Sequence, residues 1–356
     1  MTSEYRTGMR VSEYVLEERI GTGTFGEVWR ARHHVWENEH VAVKLPTEPE
    51  YVRYLQREGV VVHGLRHANI IRVMGMDPYA EVPYLVMELV KGPSLRQVLH
   101  ENPMGISVDL AVVALRGILN AMVVAHGANV LHRDLKPGNV LLHLDGKPLS
   151  ALTVEAVKVG DFGLGIDNAD TLRSIVQSAS VAREDKLVGT LAYMAPELRE
   201  GRQKPDARSD LYSIGVILFE LLTGDRPAGA EFPSTLRPNV PPALDEVFRR
   251  LYARHDRRYE SAQAVLDDLT ARLDAQRGAP ATLPPPVPLP PLPTQTAPGK
   301  CPSCGHAVEA GDQFCTQCRA QLVGQVRQCP DPACRAYPGP HDRYCIFCGT
   351  ALVPKE

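Results

Sequence analysis

Three glycines, Gly21, Gly23 and Gly26, stand at the spacing G-x-G-x-x-G in the stretch ERIGTGTFGEVWRARHH. Glycines so placed let the backbone come close to phosphate oxygens, in dinucleotide-binding turns and in loops that cover nucleotide phosphates alike. A dinucleotide turn feeds directly into a helix whose N-terminus receives the pyrophosphate. Here the glycines run instead into Glu27-Val-Trp-Arg-Ala-Arg32, which alternates polar and apolar residues as a strand does. The next apolar run, VAVK, ends in Lys44, eighteen residues beyond Gly26. A glycine turn between two strands, followed by a strand that carries a cation, is built to grip phosphates and does not seat them on a helix.

Further along, HRDLKPGN supplies Asp134, Lys136 and Asn139, and VKVGDFG supplies Asp161. Moving a phosphoryl group asks for little covalent help; it asks for hard oxygen ligands, fixed cations and a carboxylate to orient a hydroxyl. HRD-x-K-x-x-N, then DFG, then GTLAYMAPE at Gly189 to Glu197, resembles the signature set of eukaryotic-like protein kinases, in wording nearest the bacterial Ser/Thr enzymes. The resemblance spans about residues 12 to 272. It implies an α+β, two-lobed protein kinase fold over 12–275, with a small antiparallel-sheet lobe, a mostly helical lobe, and ATP between them.

The resemblance also implies roles. Gly21, Gly23 and Gly26 would cover the phosphates with Thr24 and Phe25 at the loop tip, and Lys44 would hold the α- and β-phosphates. Glu58, midway along the helical pattern EYVRYLQREGVVVHGLRH, would anchor that lysine. Asp161 and Asn139 would bind Mg2+, Asp134 would accept the substrate hydroxyl's hydrogen, and Lys136 would steady the γ-phosphate. Ile20, Val28, Ala42 and Leu141 would enclose adenine, whose polar edge would meet backbone near Glu88 to Val90, with Met87 behind it. His132 and Phe162 would be packed scaffold, Asp210 would tie the catalytic loop from below, and Glu197 would pair with Arg258. Lys136, with Thr190 before APE, fits serine/threonine in place of tyrosine as acceptor. Arg133 would read a phosphate on the segment Asp161 to Glu197, where Thr171, Ser174, Ser178 and Ser180 are candidates. A catalytically silent nucleotide-binding scaffold is the rival reading, and the presence of Lys44, Glu58, Asp134, Asn139 and Asp161 together weighs against it.

Two stretches depart from the family pattern. Between Gly224 and Leu244, DRPAGAEFPSTLRPNVPPA is short and proline-rich, so a substrate-docking helix there should be reduced. Between Leu142 and Val157, HLDGKPLSALTVEA is longer than a tight turn requires, and the sequence offers no functional account of it.

All eight cysteines lie between Cys301 and Cys348. They form Cys301-x2-Cys304-x10-Cys315-x2-Cys318 and Cys329-x4-Cys334-x10-Cys345-x2-Cys348, with an aromatic (Phe314, Tyr344) before each third cysteine: an internal repeat. Two four-thiolate sites resembling tandem zinc ribbons over 300–356 are expected, each closed and structural, with iron as the rival metal and disulfides a lesser alternative. Nine prolines between Arg277 and Lys300 read as an extended linker over 276–299. The ribbons carry six Lys or Arg against five Asp or Glu, a net of +1 over residues 300–356, which favours a protein partner over nucleic acid. A net charge of −3 over 356 residues, with no signal-like N-terminus or long apolar run, gives a cytoplasmic protein with no membrane contact as the expectation.

Overall fold

Period-two alternation in the first ninety residues becomes six antiparallel strands: β1 (Arg10–Val11), β2 (Tyr14–Thr22), β3 (Gly26–His33), β4 (His40–Pro46), β5 (Val73–Asp77) and β6 (Tyr84–Glu88), in spatial order β1-β2-β3-β4-β6-β5. They belong to a computed structural model that describes residues 5–23, 26–162, 191–278, 300–308 and 314–322, with Cys329, Cys334 and Cys345. Alternation sorts each strand onto two faces. In β4, Val41, Val43 and Leu45 join Leu16, Trp29 and Ala31 in an outer core, whereas Ala42 points with Leu85 and Met87 to the opposite face. The same parity puts Lys44 on the face of Ala42.

That inner face is covered by α1 (Val52–His63), whose buried positions Leu55, Glu58, Gly59 and Val62 fall at helical spacing. A glutamate thus sits on the apolar stripe, where an uncompensated charge would be costly.

The second lobe is helical. A capping box of Ser94 and Gln97 opens α2 (Leu95–Glu101), Ser107 caps α3 (Val108–Gly127), and Asp206 with Ser209 forms the box that opens α5 (Ala207–Thr223). The short α4 is Pro196–Arg199, α6 is Pro233–Leu236, α7 is Pro242–Leu251 and α8 is Ala262–Gly278. Every residue of α5 from Ser209 to Thr223 is buried, so this helix is enclosed on all sides and forms the lobe's axis, its few polar side chains such as Asp210 finding partners inside. α3 is long and apolar enough to cross a membrane, but half of it is buried against α5, α8 and a two-stranded sheet of β7 (Val140–Leu142) and β8 (Val157–Val159).

Three expectations meet their outcome here. Before α7 begins at Pro242, the proline-rich segment after Gly224 holds only the four-residue α6 among the described residues, its first turn held by Asp245 accepting from Ser234 N. The stretch RRYESAQAVLDDL, Arg257 to Leu269, resembles the family's closing helix in sequence, but the helix begins at Ala262 because Ser261 Oγ caps Ala264 N, and residues His255–Arg257 form a separate 3-10 turn. Its far end runs to Gly278, past the expected end of the kinase unit at 275.

The chain divides into two compact units, Met1–Gly278 and Ala279–Glu356. In the second, Cys301 to Gly305 and Cys315 to Arg319 make matching turns: Gly305 N and Arg319 N each donate to the cysteine carbonyl four residues back at 2.8 Å. Gly305 and Arg319 both take left-handed backbone, φ 74° and 61°.

Candidate functional site

The β2–β3 turn carries the three glycines. Gly21 pairs with Val28, and Gly23 N donates to Gly26 O at 2.8 Å. A Cβ on Gly26 would lie 2.3 Å from the Leu45 carbonyl oxygen, so the third glycine is needed for β3 to lie against β4. Thr24 and Phe25 lie outside the described residues.

Beneath this turn, Lys44 Nζ donates to Glu58 Oε2 at 2.7 Å and to Asp161 Oδ1 at 2.6 Å. Lys44 and Glu58 are buried, while Asp161 keeps 40% of its side chain exposed. Burial pushes the Glu58 carboxyl well above the usual carboxylate range. It works against ionised Asp161 too, but there the Lys44 ammonium outweighs it and brings the group down to about 2. One ammonium therefore serves two carboxylates, one buried with it and one that faces solvent.

Opposite them, Lys136 Nζ donates to both carboxylate oxygens of Asp134, at 3.0 and 2.7 Å. Asn139 Nδ2 donates to Asp134 O at 2.8 Å and to Asp134 Oδ2 at 3.2 Å. With its amide nitrogen committed to Asp134, Asn139 has its side-chain oxygen to offer a hard cation beside Asp161, a donor set that suits Mg2+. The two clusters adjoin, since Gly160 N donates to Asn139 O at 2.9 Å.

Asp210, from α5, accepts from His132 N and Arg133 N at 2.9 Å each and from His126 Nε2 at 2.9 Å. Burial opposes its charge, yet the hydrogen bond from His126 and the backbone bonds outweigh it, and its carboxyl lies below the ordinary range. This anchor holds Arg133 at φ 67°, a left-handed conformation that a side chain rarely takes. His132 reaches Gly160 O at 2.9 Å and packs on Phe162 with ring centroids 4.7 Å apart; burial drives its pKa down, so it is a neutral scaffold. Arg258 donates to both oxygens of Glu197, at 2.6 and 2.8 Å.

Of the residues nominated for adenine, Val28, Ala42, Met87, Val90 and Leu141 gather in one cluster between the sheet and β7. Ile20 stands apart, 47% exposed on β2. Glu88 closes β6 at the edge of that cluster. Sequence reasoning missed Arg57, whose positive charge, after burial, lowers the basicity of Arg133. Its position directly before Glu58 was the available signal. The candidate phosphorylation sites Thr171, Ser174, Ser178 and Ser180, and Thr190, lie outside the described residues.

In the second unit the sulfurs of Cys301, Cys304, Cys315 and Cys318 lie within 4.8 Å of one another, with the pairs 301–318 and 304–315 at 3.6 Å. A tetrahedral metal with bonds of about 2.3 Å has ligand edges of about 3.8 Å, whereas a disulfide brings sulfurs to about 2.05 Å. The spacing fits metal ligation. Cys329, Cys334 and Cys345 form a second cluster, 334–345 again at 3.6 Å. Cys348 lies outside the described residues.

A glycine turn over a lysine shared by two carboxylates, facing an Asp-Lys-Asn cluster across a two-lobed cleft, defines a protein kinase domain. The protein kinase domain model matches residues 14–277, and the chain belongs to the protein kinase family. A probable serine/threonine-protein kinase of Streptomyces coelicolor is 34% identical over 288 residues, covering 74% of this chain and 40% of that protein. The serine/threonine-protein kinase PkaA of the same organism is 36% identical over 233 residues, 61% of this chain and 40% of that protein. PknB of Mycolicibacterium smegmatis is 33% identical over 282 residues, 72% of this chain and 42% of that protein. The chain thus spans about two fifths of the length of these relatives. The solved PknI kinase domain of Mycobacterium tuberculosis shares the fold, with a TM-score of 0.56 at 24% identity over 76% of this chain and 99% of that one.

Proposed function

We propose that this chain is an ATP-dependent protein serine/threonine kinase, cytoplasmic, whose cysteine-rich tail recruits a protein partner or substrate. The observation that carries the catalytic reading is Lys44 held between Glu58 and Asp161, next to the Asp134–Lys136–Asn139 cluster.

In this reading adenine lies among Val28, Ala42, Leu141 and Met87, with its polar edge at the backbone of Glu88 to Val90 and Ile20 at the outer rim. Gly21, Gly23 and Gly26, with Thr24 and Phe25, cover the phosphates, and Lys44 holds the α- and β-phosphates while Glu58 fixes its ammonium. Asp161 and Asn139 would hold Mg2+, which supplies charge neutralisation on the phosphates when bound. Asp134 accepts the hydrogen of the serine or threonine hydroxyl and aims its oxygen. The new oxygen–phosphorus bond forms as the bond to the β-phosphate's bridging oxygen breaks, and Lys136 steadies the transferred group. Arg133 and Arg57 would receive a phosphate placed on segment 163–190, including one from autophosphorylation.

For the tail, we infer two structural zinc ions, one held by Cys301, Cys304, Cys315 and Cys318 and one by Cys329, Cys334, Cys345 and Cys348. Iron suits four thiolates equally well, so metal analysis of the purified chain separates the two.

Transfer of labelled phosphate to a generic basic protein tests the catalytic reading. Asp134→Asn should keep nucleotide binding and lose transfer, because the metal and phosphate ligands stay while hydroxyl orientation goes. Parental turnover in that variant would sink the assignment, and nucleotide binding with no transfer by the parent would favour the silent scaffold.

A further inference from the structure

The long β7–β8 connection, for which the sequence offered no role, is held at its start to the interlobe connector, residues 89–94, and at its end to Glu88, the last residue of β6, which leads into that connector. At its start, Leu142 N donates to Pro93 O at 2.9 Å, and Leu144 N and Asp145 N donate to Lys91 O at 3.0 and 2.9 Å. A Cβ on Gly92 would meet Leu142 O at 2.0 Å, so the glycine is what lets the two backbones touch. At its end, Lys158 Nζ donates to Glu88 Oε1 and Oε2 at 3.0 and 3.1 Å. The same carboxylate accepts from Arg72 N at 2.8 Å, while Glu88 N donates to Arg72 O at 2.9 Å.

Between these ends the insertion folds into two 3-10 turns, Leu149–Ala151 and Val154–Ala156. The second presents Val154 O to Asn69 Nδ2, which also donates to Val157 O at 2.8 Å. Asn69 is buried, and the backbone beside it continues the seam: Val159 N donates to Asn69 O at 2.8 Å and Ile71 N to Val159 O at 2.9 Å. The hairpin therefore joins residues 69–72 of the small lobe, Glu88 at the end of β6, and Lys91 to Pro93 of the connector. Lys158 and Glu88 keep only 15% and 25% of their side chains exposed, so the pair is screened less than a surface ion pair.

We propose that this hairpin is a brace on the interlobe connector, and that Lys158 is a positioning residue that pre-shapes the Glu88–Val90 backbone for a nucleotide base. The inference rests on adenine docking at that backbone. Lys158 touches no reacting group; it acts by fixing Glu88, so its loss raises the cost of ordering the connector on nucleotide binding and leaves the chemical step alone.

The test uses the full chain and ATP with magnesium. In Lys158→Met the dissociation constant and KM for ATP should rise about three- to tenfold, the net worth of about one ordinary hydrogen bond because only the connector's ordering is affected, with kcat within about twofold of the parent. Lys158→Arg should restore ATP affinity. Combined with Glu88→Gln, Lys158→Met should add little, because the two remove one interaction. Unchanged ATP affinity in a folded Lys158→Met, a fall in kcat with KM unchanged, or full additivity in the double variant overturns the brace. Lys158→Gln serves in the same way should the methionine variant not fold. Val28→Trp separates this from the base site itself: if it abolishes ATP binding while Lys158→Met is silent, only the brace fails. If it binds ATP as the parent does, the base site is elsewhere and the brace falls with it.

Discussion

Lys44 gathers two carboxylates around one ammonium, and that sharing decides what its removal does. Lys44→Met leaves Glu58 buried beside an apolar chain, where it is expected to take up a proton, and leaves Asp161 without its cation. Phosphate transfer should fall by about two orders of magnitude or more, read as labelled phosphate per enzyme, while the melting temperature changes little because Glu58 can neutralise itself. Asp210 behaves differently, since its partners are backbone and histidine N–H groups. Its folded pKa lies below the unfolded value of about 3.9, so its contribution is whole above that pH and is lost as pH falls through the folded pKa. Asp210→Asn should therefore melt lower than the parent at pH 7 by the equivalent of about 1–3 kcal/mol, and the gap should narrow below pH 4. A gap that is constant from pH 7 to 3 would count against an ionised Asp210.

At the scale of elements, Arg258 ties α8's leading turn to α4 through Glu197. The guanidinium has no exposed side-chain surface and the carboxylate only 9%. Arg258→Met strands that carboxylate, and urea unfolding should show a loss on the order of 3–5 kcal/mol. Elements of this kind were readable where the signal is local. The parity of VAVK fixed the face of Lys44, the stretch SDLYSIGVILFELLTG is apolar enough to resemble the family's buried helix, and the repeat of cysteine spacing marked two thiol clusters. The residues proposed for catalysis could be nominated from sequence because most of them fall in short contiguous motifs. What escaped notice depends on contacts between distant residues: Lys158 and Glu88 are 70 apart in sequence, and neither stands in a pattern that names the other. Ile20, nominated from the family pattern, is 47% exposed on β2 and stands outside the apolar cluster of the other nominees. The start of α8 was misplaced because Ser261, an ordinary residue in sequence, is the cap that decides it.

For the whole molecule, the division at Gly278 makes independence of the two units testable. A chain ending there should phosphorylate a peptide, and melt, much as the full chain does. Phosphorylation of a native partner should drop if the tail raises that partner's local concentration. Metal analysis should find two ions per full chain and none in the shortened one. Abolished peptide phosphorylation in the shortened chain would mean that the tail supports the catalytic unit directly. The placement of every cysteine beyond residue 300 has a chemical consequence of another sort. The kinase unit offers oxidants no thiol, only methionine sulfurs that react more slowly, whereas the tail carries every thiol, so hydrogen peroxide should act first on the tail. If the tail holds metal, titration with low peroxide should release it and unfold the tail while peptide phosphorylation continues, so that any recruitment through the tail would be lost without switching transfer off.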